Sequence, residues 1–268
     1  MREIGALVRA SWHTAISYRV AFVLSVASML VTVLPVYFVS KALQPLAGGA
    51  IVEQGGSYFG FLVVGFIGFA FISTAVNAVP TKLGGAITTG TLEALLSTRA
   101  SLPTVLTGLV GYQFLLTLVK SLLFLVAALL LGMSVAWQQS ASAVLLLTLI
   151  VLAYLPFGLL GAAMMLAFRT TGPLPSVVLI LSGLLGGVYY PMSAHVIPDW
   201  VRQLSDFVPL TYGLRALRET LLRGQPLWAV RGDLFTLVGF VLMLWALGLM
   251  AMAEALRYAR RAGTLAQY

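Results

Sequence analysis

Long apolar runs alternate with short polar breaks along this chain. A helix needs about 20 apolar residues, at ~1.5 Å rise each, to cross about 30 Å of hydrocarbon. Six runs reach roughly that length: 20–40, 58–79, 104–131, 143–168, 174–190 and 234–254. Backbone polar groups inside lipid must find partners within their own segment, so helices are the economical solution. The alternating segments of about ten residues that a barrel requires are not seen. The pattern predicts an all-α integral membrane protein with six transmembrane helices, forming one transmembrane domain over residues 20–268.

Two stretches break the pattern. In residues 1–19, Ile4, Leu7, Val8, Trp12, Ala15 and Ile16 recur at helical spacing, while Arg2, Glu3, Arg9 and His13 take the other face. This predicts a cytoplasmic amphipathic helix lying flat in the interface, with Trp12 at headgroup depth. The second stretch follows the fifth run. Tyr189, Tyr190 and Trp200 suit a membrane–water boundary. Within 209–223, Leu210, Leu214, Leu217 and Leu221 line one face, with Arg215, Arg218, Glu219 and Arg223 assigned to the other. Gly224 and Pro226 are stop signals. Four charges in that helix are too many for one surrounded by hydrocarbon, so residues 191–226 are expected to be half-embedded and extracytoplasmic. Such a shape suits either a gate on a pathway or a cap that seals the bundle. The fifth run is short and contains Gly183 and Gly187, a spacing that lets helices approach closely.

Composition agrees with the membrane assignment. Of 268 residues, 60% are hydrophobic and 9% charged, too few charges to coat a water-facing surface. Mean hydropathy is +1.00. Apolar residues 20–34 follow basic residues, as in a signal peptide, but the run continues to Val39 and is read as a retained span. Net charge is +8, which is assigned to loops facing anionic lipid, not to nucleic acid. With both termini in the cytoplasm, nine Lys/Arg fall inside and six outside, and five of those six lie in 191–233. Lys120 sits within the third run and either snorkels or faces a polar interior.

Several chemistries are missing from the sequence. There is no cysteine and no GxxxxGK[ST] phosphate loop, HExxH or GxSxG. His13 and His195 are too far apart to pair. Asp199, Asp206 and Asp233 are read as capping or interfacial residues. Glu254 is expected to pair with Arg257 or Tyr258. The chain is therefore not expected to be an enzyme, nor to bind a cofactor or metal. A carrier driven by an ion gradient should show acids inside its spans, and an intramembrane enzyme should show paired catalytic groups. Neither is seen.

Two stretches carry a family resemblance. GTLEALLSTRASLP (90–103) is similar to a turn between the second and third spans of ABC-2 type transporter permeases, the membrane subunits of bacterial ABC exporters. GGVYYPMSAHVIPDWVRQLSDFVPLTYGLRALRETLLRG (186–224) resembles the segment before their last span. With the flat first helix and six spans, the resemblance covers nearly the whole chain and implies an ABC-2, type V exporter-like fold in the inner (plasma) membrane.

The resemblance implies further expectations. A second permease subunit, identical or a close paralogue, would complete the membrane unit. Two copies of a separate ATPase subunit, holding ATP and Mg, would dock on its cytoplasmic face. Residues 84–103 would be the coupling segment: Gly90 permits the turn, Leu92 and Leu96 pack, and Glu93 and Arg99 face the ATPase. The segment after the fifth span would re-enter the outer leaflet and close the pathway. Its gate residues would be Gly183, Gly187, Tyr189, Tyr190, Pro191, Pro198, Trp200, Pro209, Tyr212 and Arg215. The run LVRASWHTAISYRVAF departs from the pattern of polysaccharide exporters. The spans offer few polar groups, so an amphiphilic or hydrophobic cargo is favoured, with a glycan or glycolipid as the alternative. A membrane scaffold or sensor that partners an ATPase is a third reading. Glu93→Arg is expected to uncouple transport from ATP hydrolysis in reconstituted complexes, and unchanged coupling would refute the charged contact.

Overall fold

A helix that is apolar all round has no side to offer water, and the computed structural model is built mainly from helices of this kind. It describes residues 28, 31–45, 57–88, 90, 102–168, 171–192 and 197–261. The predicted interface helix with Arg9 and Trp12, and the coupling residues Leu92, Glu93, Leu96 and Arg99, lie outside the described residues. We number the described helices α1 (31–45), α2 (Tyr58–Thr88), α3 (Leu102–Leu130), α4 (Ser140–Phe168), α5 (Leu174–Leu185), α6 (Asp199–Ser205), α7 (Pro209–Leu221) and α8 (Arg231–Arg261). A 3-10 turn, Trp137–Gln139, leads into α4. No strand occurs among the described residues.

Among the described residues, four helical stretches are long and apolar enough to cross a membrane: Tyr58–Ala86, Val110–Leu130, Trp137–Met165 and Arg231–Glu254. The first predicted span is described only in part. The fifth differs from expectation. Its helix has 12 residues, or about 18 Å, and ends at Leu185 instead of continuing to 190. Gly186 and Gly187 follow at once, and Gly187 adopts φ +69°, which ends helical geometry. Gly183 and Gly187 therefore do not share a helix face. Gly183 alone lies on α5, where a Cβ would come within 3.2 Å of the Phe69 ring.

Contacts between named residues give the helix directions. Gly158 and Gly161 of α4 lie against Ala75 and Pro80 of α2, and Pro156 and Leu152 meet Gly248 and Trp245 of α8. Thus α2, α4 and α8 run parallel. Thr74 pairs with Thr117, and Phe66 meets Phe124 edge-on, so α3 runs antiparallel to α2. Pro175 lies by Gly161, and the Tyr154 hydroxyl donates to Ser182 Oγ at 2.8 Å, so α5 also runs antiparallel. The core lies around α4, between α2 and α8. Tyr154, Leu146 and Ile150 of α4 are fully buried there with Phe61 and Ile72 of α2.

Two prolines sit inside these helices, Pro80 in α2 and Pro156 in α4. Each faces a glycine, because a Cβ on Gly161 or Gly248 would lie 2.8 Å from the ring it opposes. Proline also lacks the N–H that would bond the carbonyl four residues back. At Pro156 that carbonyl belongs to Leu152, and the Trp245 indole N–H donates to it at 2.9 Å. An unpaired carbonyl in lipid is costly, so this bond both repairs α4 and holds α8. Trp245→Phe should destabilise the protein by about 1 kcal/mol. The loss should shrink in a Pro156→Ala background, where residue 156 regains its own N–H. A double-mutant cycle by thermal unfolding checks this.

Candidate functional site

The starts of α2, α4 and α8 and the end of α3 meet at one end of the bundle, and α6 and α7 lie across it. Pro209 occupies the first turn of α7, where its missing N–H costs nothing. Leu210, Leu214 and Leu217 are buried beneath the helix, as their spacing predicted. Arg218 is buried with them, at 3% exposure, and does not take the polar face to which its charge assigned it. It follows Leu214 by four residues, only about 40° around the helix. That angle was the available signal.

A buried cation needs partners. The Arg218 guanidinium carbon lies 3.4 Å from the centroid of the Phe61 ring. Its Nε and Nη2 donate to the Phe61 carbonyl at 3.3 and 3.2 Å, and Nη2 donates to the Gly187 carbonyl at 2.9 Å. Phe61 thus supplies both a ring face and a carbonyl. Gly65, one turn further along α2, has no side chain to obstruct the approach. A Cβ there would stand 2.6 Å from the Val188 carbonyl and 2.9 Å from Arg218 Nη2. Beside this cluster the Tyr58 hydroxyl donates to the Tyr189 carbonyl at 2.7 Å, and the Tyr189 ring meets Phe66 edge-on. Burial lowers the pKa of Arg218 to about 9, which leaves it cationic at neutral pH.

The remaining cap residues close around this point. Thr211 Oγ1 lies 2.8 Å from the Ser205 carbonyl and 3.2 Å from that of Leu185, and its single proton serves one at a time. It joins the ends of α5 and α6 to α7. Arg215 makes a two-pronged ion pair with Asp233 at the start of α8, with Nε to Oδ2 at 2.8 Å and Nη2 to Oδ1 as the second prong. That hydrogen-bonded pair raises the pKa of Arg215. The guanidinium also lies over the Tyr212 ring, and burial raises the pKa of the Tyr212 phenol. Arg223 pairs with Glu219, and Arg202 lies 3.6 Å from Asp199. The arginines that weighed against the charge rule are largely engaged in these contacts.

The structure brings Gly187, Tyr189, Pro209, Tyr212 and Arg215 into the cap, with Pro191 buried beside them. Tyr190 is half-buried, and Pro198 caps the start of α6 without a side-chain bond. Trp200 is exposed and joins Trp137, Phe207 and Trp228 as exposed aromatics of this end, a boundary arrangement. Gly90 is exposed, at φ +66°. At the other end, Glu254 pairs with Arg257 at 2.7 Å, as expected.

Deeper in the bundle, the impression of few polar groups needs correction. Ser73, Thr74, Asn77 and Thr81 form a stripe on α2, and with Gln113 of α3 they line a cavity of about 220 Å³. Thr74 also meets the Thr117 hydroxyl at 2.7 Å. Ser73, Thr74 and Asn77 lay in one apolar run, Thr81 just past it and Gln113 in the next, and helix pairing gathers them.

The family model for the ABC-2 type transporter matches residues 2–222, through the whole of α7. The chain belongs to the ABC-2 type transporter family. No curated protein matches it. It is thus a multi-pass membrane protein and the permease component of an ABC transporter. In this ABC-2 permease, removing the cation by Arg218→Met leaves the Gly187 carbonyl without its donor and should cost about 1–3 kcal/mol. Gly65→Ala should reproduce much of that loss while leaving Arg218 in place. Thermal unfolding and proteolysis of the 186–192 segment are the measurements.

Proposed function

We propose that this permease is the membrane-spanning subunit of an ABC exporter that moves an amphiphilic or hydrophobic compound, drug-like or lipid. The family match over residues 2–222 carries the reading. Two permease subunits, alike or paralogous, form the pathway in the inner membrane with their termini in the cytoplasm. A separate ATPase, present in two copies, binds ATP and Mg and drives them through residues 84–103. The capped end is then extracytoplasmic and acts as the outer closure, and opening it requires α7 and the 186–190 segment to part from α2.

The cavities support the amphiphilic cargo. Next to the α2–α3 polar stripe, the space lined by Thr32, Phe66, Ile67, Ala70, Ser121 and Phe124 is mostly apolar. Every polar group in both linings is uncharged, which suits a largely apolar molecule carrying a few hydrogen-bonding groups. Tagged protein extracted from native membranes in mild detergent is expected to bring down an ATPase, and the Glu93→Arg, Arg99→Glu variant to lose it. A chain that emerges alone from membranes where it is abundant would contradict the proposal and favour a scaffold.

A further inference from the structure

Among the described spans, Lys120 is the one charge near the middle. It stands at the centre of the stretch Val110–Leu130, so either end is about 15 Å away along the helix. A four-carbon lysine stem covers less than half of that distance, and the ammonium cannot reach the headgroups by snorkelling. A cation left at such depth without a partner is expensive, and intramembrane charges pair with one another or face a polar space. Lys120 is half-buried and makes no hydrogen bond or ion pair with any described residue.

The acids of the chain are elsewhere. Asp199, Asp206, Glu219 and Asp233 belong to the capped end, and Glu254 to the opposite end. Glu3, Glu53 and Glu93 lie outside the described residues and outside every apolar run. A second copy of this chain would therefore bring no acid to the depth of Lys120. Polar company comes from one direction. Lys120 follows Thr117 by three residues and Gln113 by seven, which places it about 20° around α3 from Gln113. The Cα–Cβ bonds of a helix tilt toward its N-terminus, so Lys120 leans along α3 toward that pair. Gln113 lines the α2–α3 cavity with Ser73, Thr74, Asn77, Ala78 and Thr81. A cation thus heads a row of neutral hydrogen-bonding groups.

We infer that the α2–α3 groove binds a small acidic amphiphile whose carboxylate pairs with Lys120 and whose neutral polar groups meet the α2 stripe. The charge selects the occupant, because no acid of the chain itself is placed to answer it. A bilayer phospholipid keeps its phosphate at headgroup level, about 15 Å from Lys120, so the anion belongs to a free amphiphile. The inference deepens the amphiphilic-cargo reading by adding one acidic group. It rests on that reading for its biological role, but binding requires neither ATP nor a partner.

The test uses the full chain in phosphatidylcholine nanodiscs and photoreactive para-benzoylbenzoate, with its uncharged methyl ester as control and adducts mapped by mass spectrometry. Labelling is scored relative to the lipid-facing positions Leu242 and Met250. The acid is expected to label 73–81 and 113–120, and the ester to label them weakly. Lys120→Gln should reduce labelling by the acid about tenfold and leave labelling by the ester unchanged. Lys120→Arg, which keeps the charge, should retain most of it. Equal labelling by acid and ester, or a groove labelled equally in Lys120→Gln, would overturn the assignment. Loss of groove labelling when phosphatidylglycerol replaces part of the phosphatidylcholine would give Lys120 to a lipid and overturn the free amphiphile. Because the ATPase is absent from this assay, failure here is distinct from failure of the pull-down.

Discussion

The capped end depends on one buried cation. Arg218 reaches from α7 to a ring and a carbonyl on α2 and to a carbonyl in the turn after α5. Three parts of the chain that are distant in sequence are held at one point. A guanidinium suits this task because its donors are fixed in a plane, so ring stacking and hydrogen bonding proceed together. A desolvated cation on an aromatic face contributes about 2 kcal/mol, and hydrogen bonds to a charged group about 1.5–3. These gains offset the cost of taking the charge out of water only while all partners are in place. A cap held in this way is either seated or released, as the proposed outer closure requires.

The bundle below uses a different device. Glycines on α4 and α8 bring helix backbones together, and two prolines fit against them. Lipid tails compete with apolar side chains, so close contact and interhelical hydrogen bonds must supply the cohesion. Trp245 illustrates this by satisfying a carbonyl that Pro156 leaves open. By contrast, α3 and α4 stand apart and leave an apolar cleft between them. Tight packing around α4 and loose packing between α3 and α4 place a rigid centre beside an accessible flank.

Much of the fold was legible because lipid leaves a coarse signature. Apolar runs of sufficient length become helices: α3 and α4 follow theirs within a few residues, while α2 and α8 run on past theirs to Thr88 and Arg261. Pro209 marked the start of α7, while Gly224 and Pro226 lay just beyond its end. The fifth helix came out short because Gly186 and Gly187 end it within an apolar run, where hydropathy alone cannot distinguish helix from turn. Arg218 was misplaced because charge was taken to imply exposure. Its partners are backbone carbonyls at Phe61 and Gly187, and a carbonyl leaves no mark in a sequence. The α2–α3 polar contacts were hidden for a similar reason, since they depend on which helices adjoin.

The absence of cysteine from the chain permits a direct test of the Arg218 clamp. Phe207 on the cap and Trp137 in the turn that leads into α4 are both exposed, so cysteines there accept spin labels without entering the core. The measurement is the distance distribution between them in nanodiscs, for the wild-type background and for Arg218→Met. The account predicts one narrow distribution with Arg218 present and a broadened, longer one without it. Identical narrow distributions would show that the cap is seated without this arginine and would contradict the account.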